Sequence, residues 1–165
     1  MRSIRACAAT LVLVGCASAM PVEDADRTIE VVQEVPGISK DQIFNATKVW
    51  VAGNFRSAKQ IIEYENREEG TLIGNASIPF PCSGIGCTGN DDWHMPFTMR
   101  VDMKDGRFRI GFTNVRLVWT PTPYRSGYDG PVRTQGNWES VKARLSGLAP
   151  ELRKAIVEGQ KKRDF

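Results

Sequence analysis

One short segment contains most of the residue types that could carry out chemistry. His94 is the single imidazole of the chain, and it lies close in sequence to Ser83 and Asp91. A hydroxyl nucleophile, an imidazole base and a carboxylate are the three groups of a hydrolase triad. The segment therefore raises the hypothesis of a hydrolase with its site near Ser83, Asp91 and His94. No nucleophile-elbow, phosphate-loop or zinc-protease motif accompanies these residues.

Two cysteines in the same segment allow a second kind of chemistry. Four residues, two of them glycine, separate Cys82 from Cys87, and so short and flexible a ring can close through a disulfide bond. The same thiols could bind zinc together with His94 and either Asp91 or Asp92. One histidine and no second cysteine pair make a poor zinc set. We therefore predict a disulfide, and we expect neither a metal nor another cofactor.

A later segment, residues 120–136, has the composition of a binding loop. Tyr124, Arg125, Tyr128 and Arg133 alternate there with proline and glycine, without the periodicity of a helix or a strand. Tyrosine rings and guanidinium groups are the side chains that engage sugars, phosphate groups and protein partners. These four residues are our candidate binding residues. The alternative is a solvated connection whose rings lie over the edge of a sheet.

The first 20 residues have the composition of an export signal. Arg2 and Arg5 precede an apolar run at residues 6–14, which at nine residues is too short to span a bilayer as a helix. The sequence LVGC at 13–16 resembles the bacterial lipobox, in which the cysteine receives a lipid and becomes the mature N-terminus. The resemblance implies a signal peptide at residues 1–15 and a Cys16 that carries diacylglycerol and palmitate.

Lipidation of Cys16 would fix the protein to the bacterial cell envelope, because several acyl chains hold a protein stably at a bilayer. Alanine at position 17 is compatible with transfer to the outer membrane, so we expect the domain to face the periplasm there. Residues 16–27 would then form a tether that spans at most about 35 Å when extended. The alternative is an ordinary secretory signal that is cleaved after Ala17 or Ala19.

Alternating and helical patterns of apolar residues predict the elements that follow. Residues 28–35 alternate as a strand, and Ser39 caps an amphipathic helix of about 15 residues. Four strand-like runs come next, at residues 60–66, 71–80, 95–104 and 108–119. The alternation reverses at residues 113–114, which predicts a β-bulge.

A second amphipathic helix ends the pattern. Asn137 is its predicted N-cap, and apolar residues step by three or four from Trp138 to Ile156. Pro150 should kink or restart this helix. The order of elements predicts an α+β, two-layer sandwich, in which an antiparallel sheet of about five strands has two helices packed on one face.

The two sides of the predicted sheet could bind different kinds of partner. The outward side carries Thr98, Arg100, Asp102 and Lys104, a row that is either the solvated face or a surface for a partner protein. On the inward side, a small-ligand or lipid carrier would need a void between the layers. The many large apolar side chains of the chain argue against such a void.

Several short blocks of this chain are similar to one protein family. The blocks are VPGISKDQIF (35–44), Trp50, FRSA (55–58), IIEYE (61–65) and RIGFTNV (109–115). They resemble the bacterial domain-of-unknown-function family numbered 4468, which is described as having a TATA-binding-protein-like fold. The resemblance implies that fold, and an exported or lipid-anchored protein. It implies no activity and no active-site residues, and the segment from Cys82 to Cys87 departs from the family pattern.

Composition and charge limit the possible functions further. Without the leader, the 20 basic residues exceed the 19 acidic ones by one. A nucleic-acid partner needs a concentrated basic face, so we expect none. The remaining chain, of ordinary globular composition, fills one domain, which we place at residues 28–160.

These observations favour a lipid-anchored cell-envelope protein that is not an enzyme and serves as a binding or scaffolding module. Its expected partners are the membrane, through the N-terminal lipid, and an envelope protein or glycan. The alternatives are the envelope hydrolase and the small-ligand or lipid carrier.

Overall fold

The computed structural model describes residues 27–55, 61–82 and 92–161. The predicted signal peptide, Cys16 and most of the tether lie outside the described residues, as do Ser83, Cys87 and Asp91. The lipid anchor, the disulfide and the bounds proposed for the domain therefore stay predictions. No helix in the described part of the chain is both long enough and apolar enough to cross a membrane.

The described chain forms seven strands and three helices. In chain order they are β1 (Ile29–Glu34), α1 (Lys40–Asn54), β2 (Ile62–Asn66), β3 (Thr71–Pro79), β4 (His94–Lys104), β5 (Arg107–Thr113), β6 (Arg116–Trp119), β7 (Tyr128–Pro131), α2 (Gln135–Ser146) and α3 (Leu148–Lys161). The predicted fold class is confirmed, since the helices pack on one face of an antiparallel sheet. The strand count is higher than expected because β6 and β7 form an additional hairpin.

The sheet is ordered β1-β5-β4-β3-β2, and every neighbouring pair is antiparallel. Strand β4 is its centre, because β4 pairs with β3 along one side and with both β5 and β6 along the other. Strand β7 pairs with β6 alone. The β6–β7 hairpin, residues 116–131, therefore extends the sheet beyond the end of β5.

The core lies between the sheet and the helices. Alternate side chains of β4 are fully buried there, as the sequence pattern predicts. They are Met95, Phe97, Met99, Val101 and Met103. The Phe97 ring meets those of Phe55 and Phe112 edge to face, with centroids 6.3 and 5.5 Å away. Such rings fill the space between the sheet and the helices. This packing gives no support to the hypothesis of a small-ligand or lipid carrier.

Helix α1 begins where the sequence predicts. The Ser39 side chain accepts a hydrogen bond from the backbone N–H of Gln42, and the Gln42 side chain accepts one from the backbone N–H of Ser39. This capping box satisfies two N–H groups that have no partner within the helix. One face of the helix is then buried against the core, including Ile43, Trp50 and Val51.

The predicted bulge is present and determines where the hairpin lies. Along β4, Thr98 is opposite Thr113, whereas His94 is opposite Val118. The five-residue separation from Thr113 to Val118 thus faces a four-residue separation on β4. Asn114, with φ of 53°, accommodates the extra residue. The shift turns Leu117 toward the core although its sequence parity differs from that of Phe112.

Two predictions about the last third of the chain are wrong in detail. Residues 120–136 are not a continuous loop, because Tyr128–Pro131 forms β7. Thr134, rather than Asn137, caps α2, and its side chain accepts a hydrogen bond from the Asn137 N–H. The restart near Pro150 is confirmed, since α2 ends at Ser146 with Gly147 as its C-cap and α3 begins at Leu148. Pro150 is tolerated because the first turn of a helix does not need its N–H.

Two glycines with positive φ provide a matched test of this architecture. Gly70 (φ 71°) and Gly106 (φ 74°) both end tight turns. A Cβ added at Gly70 would collide with the Met103 carbonyl oxygen, whereas a Cβ added at Gly106 would have no other atom within 4 Å. We expect Gly106→Ala to cost about 1 kcal/mol of unfolding free energy, from backbone strain alone. Gly70→Ala should cost about 3 kcal/mol, because overpacking adds to the same strain. Urea denaturation measures both, and equal losses would contradict the close contact of Gly70 with β4.

Candidate binding surface

Four aromatic side chains form a row across the end of the sheet. Phe80 follows β3, Trp93 precedes β4, Trp119 ends β6 and Tyr128 begins β7. The centroids of Phe80 and Trp93 are 5.6 Å apart, those of Trp93 and Trp119 4.5 Å, and those of Trp119 and Tyr128 4.6 Å. The last two pairs are stacked, with interplanar angles of 14° and 24°. We call these four residues the aromatic row.

Strand pairing places the aromatic row on one face. The Phe80 N–H donates to the Trp93 carbonyl at 3.0 Å, and Trp119 is the direct cross-strand partner of Tyr128. Side chains of residues opposite each other in antiparallel strands lie on the same side of the sheet. The row therefore braces the β6–β7 hairpin against the strands that carry the core.

Arg133 completes the row at its outer end. Its guanidinium carbon lies 4.7 Å from the centroid of the Tyr128 ring, and its Nε donates to the Tyr128 hydroxyl at 3.0 Å. That hydroxyl donates in turn to the Pro131 carbonyl at 2.7 Å. Tyr128 thus has Trp119 and Arg133 stacked against it, and its hydroxyl is bonded within the hairpin. The candidate residues Tyr128 and Arg133 therefore stabilise the hairpin.

An ion pair fastens the turn of the hairpin to the start of β4. Nη2 of Arg125 lies 2.7 and 2.8 Å from the two carboxylate oxygens of Asp92. The backbone N–H and the hydroxyl of Thr120 also donate to Asp92. The hydrogen bond from Arg125, aided by those from Thr120, lowers the pKa of Asp92 from its ordinary value of 3.8. Nearby, the Trp119 indole N–H donates to the Ser126 carbonyl at 2.9 Å.

Tyr124 differs from the other three candidate residues. It lies at the tip of the hairpin, in a turn closed by two hydrogen bonds between the backbones of Thr122 and Arg125. Its side chain is 99% exposed, so both ring faces and the hydroxyl are open to solvent. The structure thus brings Arg125, Tyr128 and Arg133 together as a brace and presents Tyr124 outward from it.

The segment around His94 does not assemble a catalytic group among the described residues. His94 Nδ1 lies 3.1 Å from the Asp92 carbonyl, and the Asp92 side chain is taken by Arg125 and Thr120. Ser83 and Asp91 are outside the described residues. Within the ranges that the structure does describe, no three histidine, cysteine, aspartate or glutamate side chains gather as metal ligands.

The outward face of the sheet carries a network of ion pairs. Asp102 accepts hydrogen bonds from Arg100 at 2.9 Å, from Arg109 at 2.8 Å and from the Thr71 hydroxyl at 3.2 Å. Partial burial raises the pKa of Asp102, but the hydrogen bonds from Arg100 and Arg109 outweigh it and leave that pKa below its ordinary value. Arg109 also lies 3.8 Å from Glu30. These charges therefore satisfy one another, and a partner would have to break their pairing.

The comparison with protein families identifies the chain. The family described as "Domain of unknown function (DUF4468) with TBP-like fold" matches residues 30–117, which is more than half of the 165 residues. This chain belongs to the DUF4468 family. The matched range ends within β6, so it contains the bulge and the charged face of the sheet but excludes the tip of the hairpin and Tyr124. No curated protein matches the sequence.

Two solved structures are similar in fold to this DUF4468 protein. One is a TBP-like protein from Parabacteroides distasonis ATCC 8503, with a TM-score of 0.61 and 16% identity, over 82% of this chain and 96% of that one. The other is a DUF4468 family protein from Bacteroides ovatus ATCC 8483, with a TM-score of 0.51 and 17% identity, over 88% and 90% of the two chains. At such low identities the similarity establishes the fold alone.

The ion pair of Asp92 makes the hairpin sensitive to acid. Because the folded-state pKa of Asp92 is below 3.8, the pair stabilises the fold above that pH, and its contribution is lost as the pH falls through the lowered value. We expect Asp92→Asn to be less stable than the wild type at about pH 6, and the difference to shrink as the pH falls through the lowered pKa of Asp92. Urea denaturation across this range measures the difference.

A control for this prediction is Asp129→Asn. Asp129 pairs with Arg116 in the same hairpin, but both of those side chains are more than half exposed. Exposed pairs contribute little, so this variant should resemble the wild type throughout. A stability difference for Asp92→Asn that persisted in acid would contradict the role assigned to its charge.

Proposed function

We propose that this DUF4468 protein is a lipid-anchored component of the bacterial cell envelope and acts as a binding or scaffolding module rather than as an enzyme. The lipobox-like sequence that ends at Cys16 supports the anchor, and Ala17 supports the outer membrane, with the domain facing the periplasm. The near balance of charge without the leader supports a partner other than nucleic acid.

The observation that carries the binding role is the presentation of Tyr124. An exposed aromatic ring has an apolar face that water solvates poorly and a hydroxyl that can donate and accept hydrogen bonds. Ordering a long side chain or a mobile loop on binding costs conformational entropy, and a braced turn avoids part of that cost. The β6–β7 hairpin has such a brace in the aromatic row and in the pair between Asp92 and Arg125.

The proposal of a non-catalytic role has a separate basis. General acid–base chemistry needs its groups within hydrogen-bond reach of one another and of the substrate. The side chain of Asp92, one of the acids near His94, is already committed to Arg125 and Thr120. The alternative, an envelope hydrolase with a site near Ser83, Asp91 and His94, gains no support from the described residues.

The lipid anchor leads to a direct measurement. Cells that express the full chain and are grown with radiolabelled palmitate should produce a labelled protein, and Cys16→Ala should remove the label because it removes the acceptor thiol. Cys7→Ala is the matched control, since Cys7 lies within the predicted signal peptide and would be lost with it. A wild-type chain that carried no label would overturn the anchor.

The binding role can be tested by placing a photo-crosslinking amino acid at single positions of the full chain in cells. Position 124 should give adducts, because its side chain is the most exposed large apolar one that the described residues contain. Position 64 is the control: Tyr64 is 46% exposed but lies on β2, away from the hairpin. Equal adducts at the two positions, or none at position 124, would contradict a binding role for the hairpin tip.

A further inference from the structure

We propose that the ligand of the hairpin tip is the membrane itself, and that Tyr124 enters the headgroup region of the leaflet that holds the lipid on Cys16. This inference rests on the proposed lipid anchor and goes beyond it. It assigns a second contact with the bilayer, made by the folded domain. The contact would determine how the domain is oriented on the surface.

The direction of the chain places the tip and the tether at the same end of the sheet. Strand β1 is antiparallel to β5, with Ile29 opposite Phe112 and Glu34 opposite Arg107. The N-terminal end of β1, where the tether enters, therefore lies beside the C-terminal end of β5. The chain continues past that end into β6 and on to Tyr124. An anchor that precedes β1 thus brings the hairpin tip toward the membrane.

The lengths are compatible with a simultaneous contact. Tyr124 lies eleven residues of chain beyond Thr113, the end of β5. Nine of these steps lead to Thr122, where the turn begins, so the tip extends about 30 Å past β5 at the rise of a strand. Residues 16–27 can span about 35 Å when extended. The tether is therefore long enough for Cys16 to remain in the bilayer while the tip touches its surface. It is also short enough to keep the tip close to the lipids.

The surroundings of Tyr124 fit a lipid surface better than a protein partner. Protein hot spots lie at the centre of a packed patch, surrounded by residues that exclude water. The other strongly exposed large apolar side chains of the described chain are Val32, Val49 and Tyr64, which lie on β1, α1 and β2. Tyr124 thus has no apolar neighbours of that kind on its hairpin. A single tyrosine suits the headgroup region of a bilayer, where its ring meets acyl chains and its hydroxyl meets water.

The charges of the hairpin are consistent with a contact that depends on the anchor. Arg125 is paired with Asp92, and Arg116 with Asp129, so these arginines bring little net charge to the surface. One aromatic ring without a basic cluster gives only a weak attraction to a bilayer. Anchoring through Cys16 raises the effective concentration of the tip at the surface, and a weak contact then suffices to orient the domain.

The experiment uses the three tyrosines of the chain as internal reporters. The full lipidated protein, labelled with 3-fluorotyrosine, is placed in nanodiscs of phosphatidylethanolamine and phosphatidylglycerol. Its fluorine resonances are assigned with Tyr64→Phe, Tyr124→Phe and Tyr128→Phe. Spin-labelled lipid is then added to the discs. We expect the Tyr124 signal to broaden and disappear, while the Tyr64 signal stays sharp. Tyr64 pairs with Ile73, which pairs with Arg100, and Arg100 lies six residues along β4 from His94, where the hairpin pairs.

The outcomes separate this inference from the proposed function. A protein that fails to remain with the discs has no anchor, which overturns both. A protein that remains with the discs and keeps a sharp Tyr124 signal is anchored, and only the membrane contact is then wrong. Equal broadening of Tyr64 and Tyr124 would indicate a domain without a preferred orientation and would also overturn the inference. Protein adducts, rather than lipid adducts, from position 124 in cells would give the site to a protein partner instead.

Discussion

The pairing of β4 with three other strands is the constraint on which the rest of the structure depends. Its inward side chains occupy the core, and its outward side holds Asp102 between two arginines. Because side chains alternate along a strand, a shift of one residue in register would exchange the two sets. Methionine sulfurs would then be exposed to water and a charged network would be buried. This penalty determines the register of β3, β5 and β6 together.

The hairpin inherits its position from that register. The bulge at Asn114, where five residues face four on β4, turns β6. Trp119 therefore faces the same side of the sheet as Trp93. The aromatic row can form only with that orientation. The bulge is therefore the local cause of a feature that lies several residues away, and it explains why an arm made of two four-residue strands is held firmly.

Much of the fold could be predicted because periodicity reports on burial. The alternation of β4 and the N-cap Ser39 of α1 are local signals, and both are present as expected. Strand β7 could not be predicted, because it is four residues long and lies within a segment rich in proline and glycine. Arg125, Tyr128 and Arg133 were recognised by residue type, but nothing local to them indicated that Asp92 and Trp119 would engage them. The sequence signal for these contacts is the position of Trp93 and Trp119, two aromatic residues at the ends of predicted strands.

The direction of β1 has a mechanical consequence. A pull on the residues that precede β1 is applied along the axis of that strand, parallel to its pairing with β5. All six residue pairs between Ile29 and Glu34 then share the load in shear, rather than opening one after another as in a peeled strand. At the far end, Nε of Arg153 on α3 donates to the Glu34 carbonyl at 3.0 Å. Drag on the domain is thus spread over the sheet and a helix together.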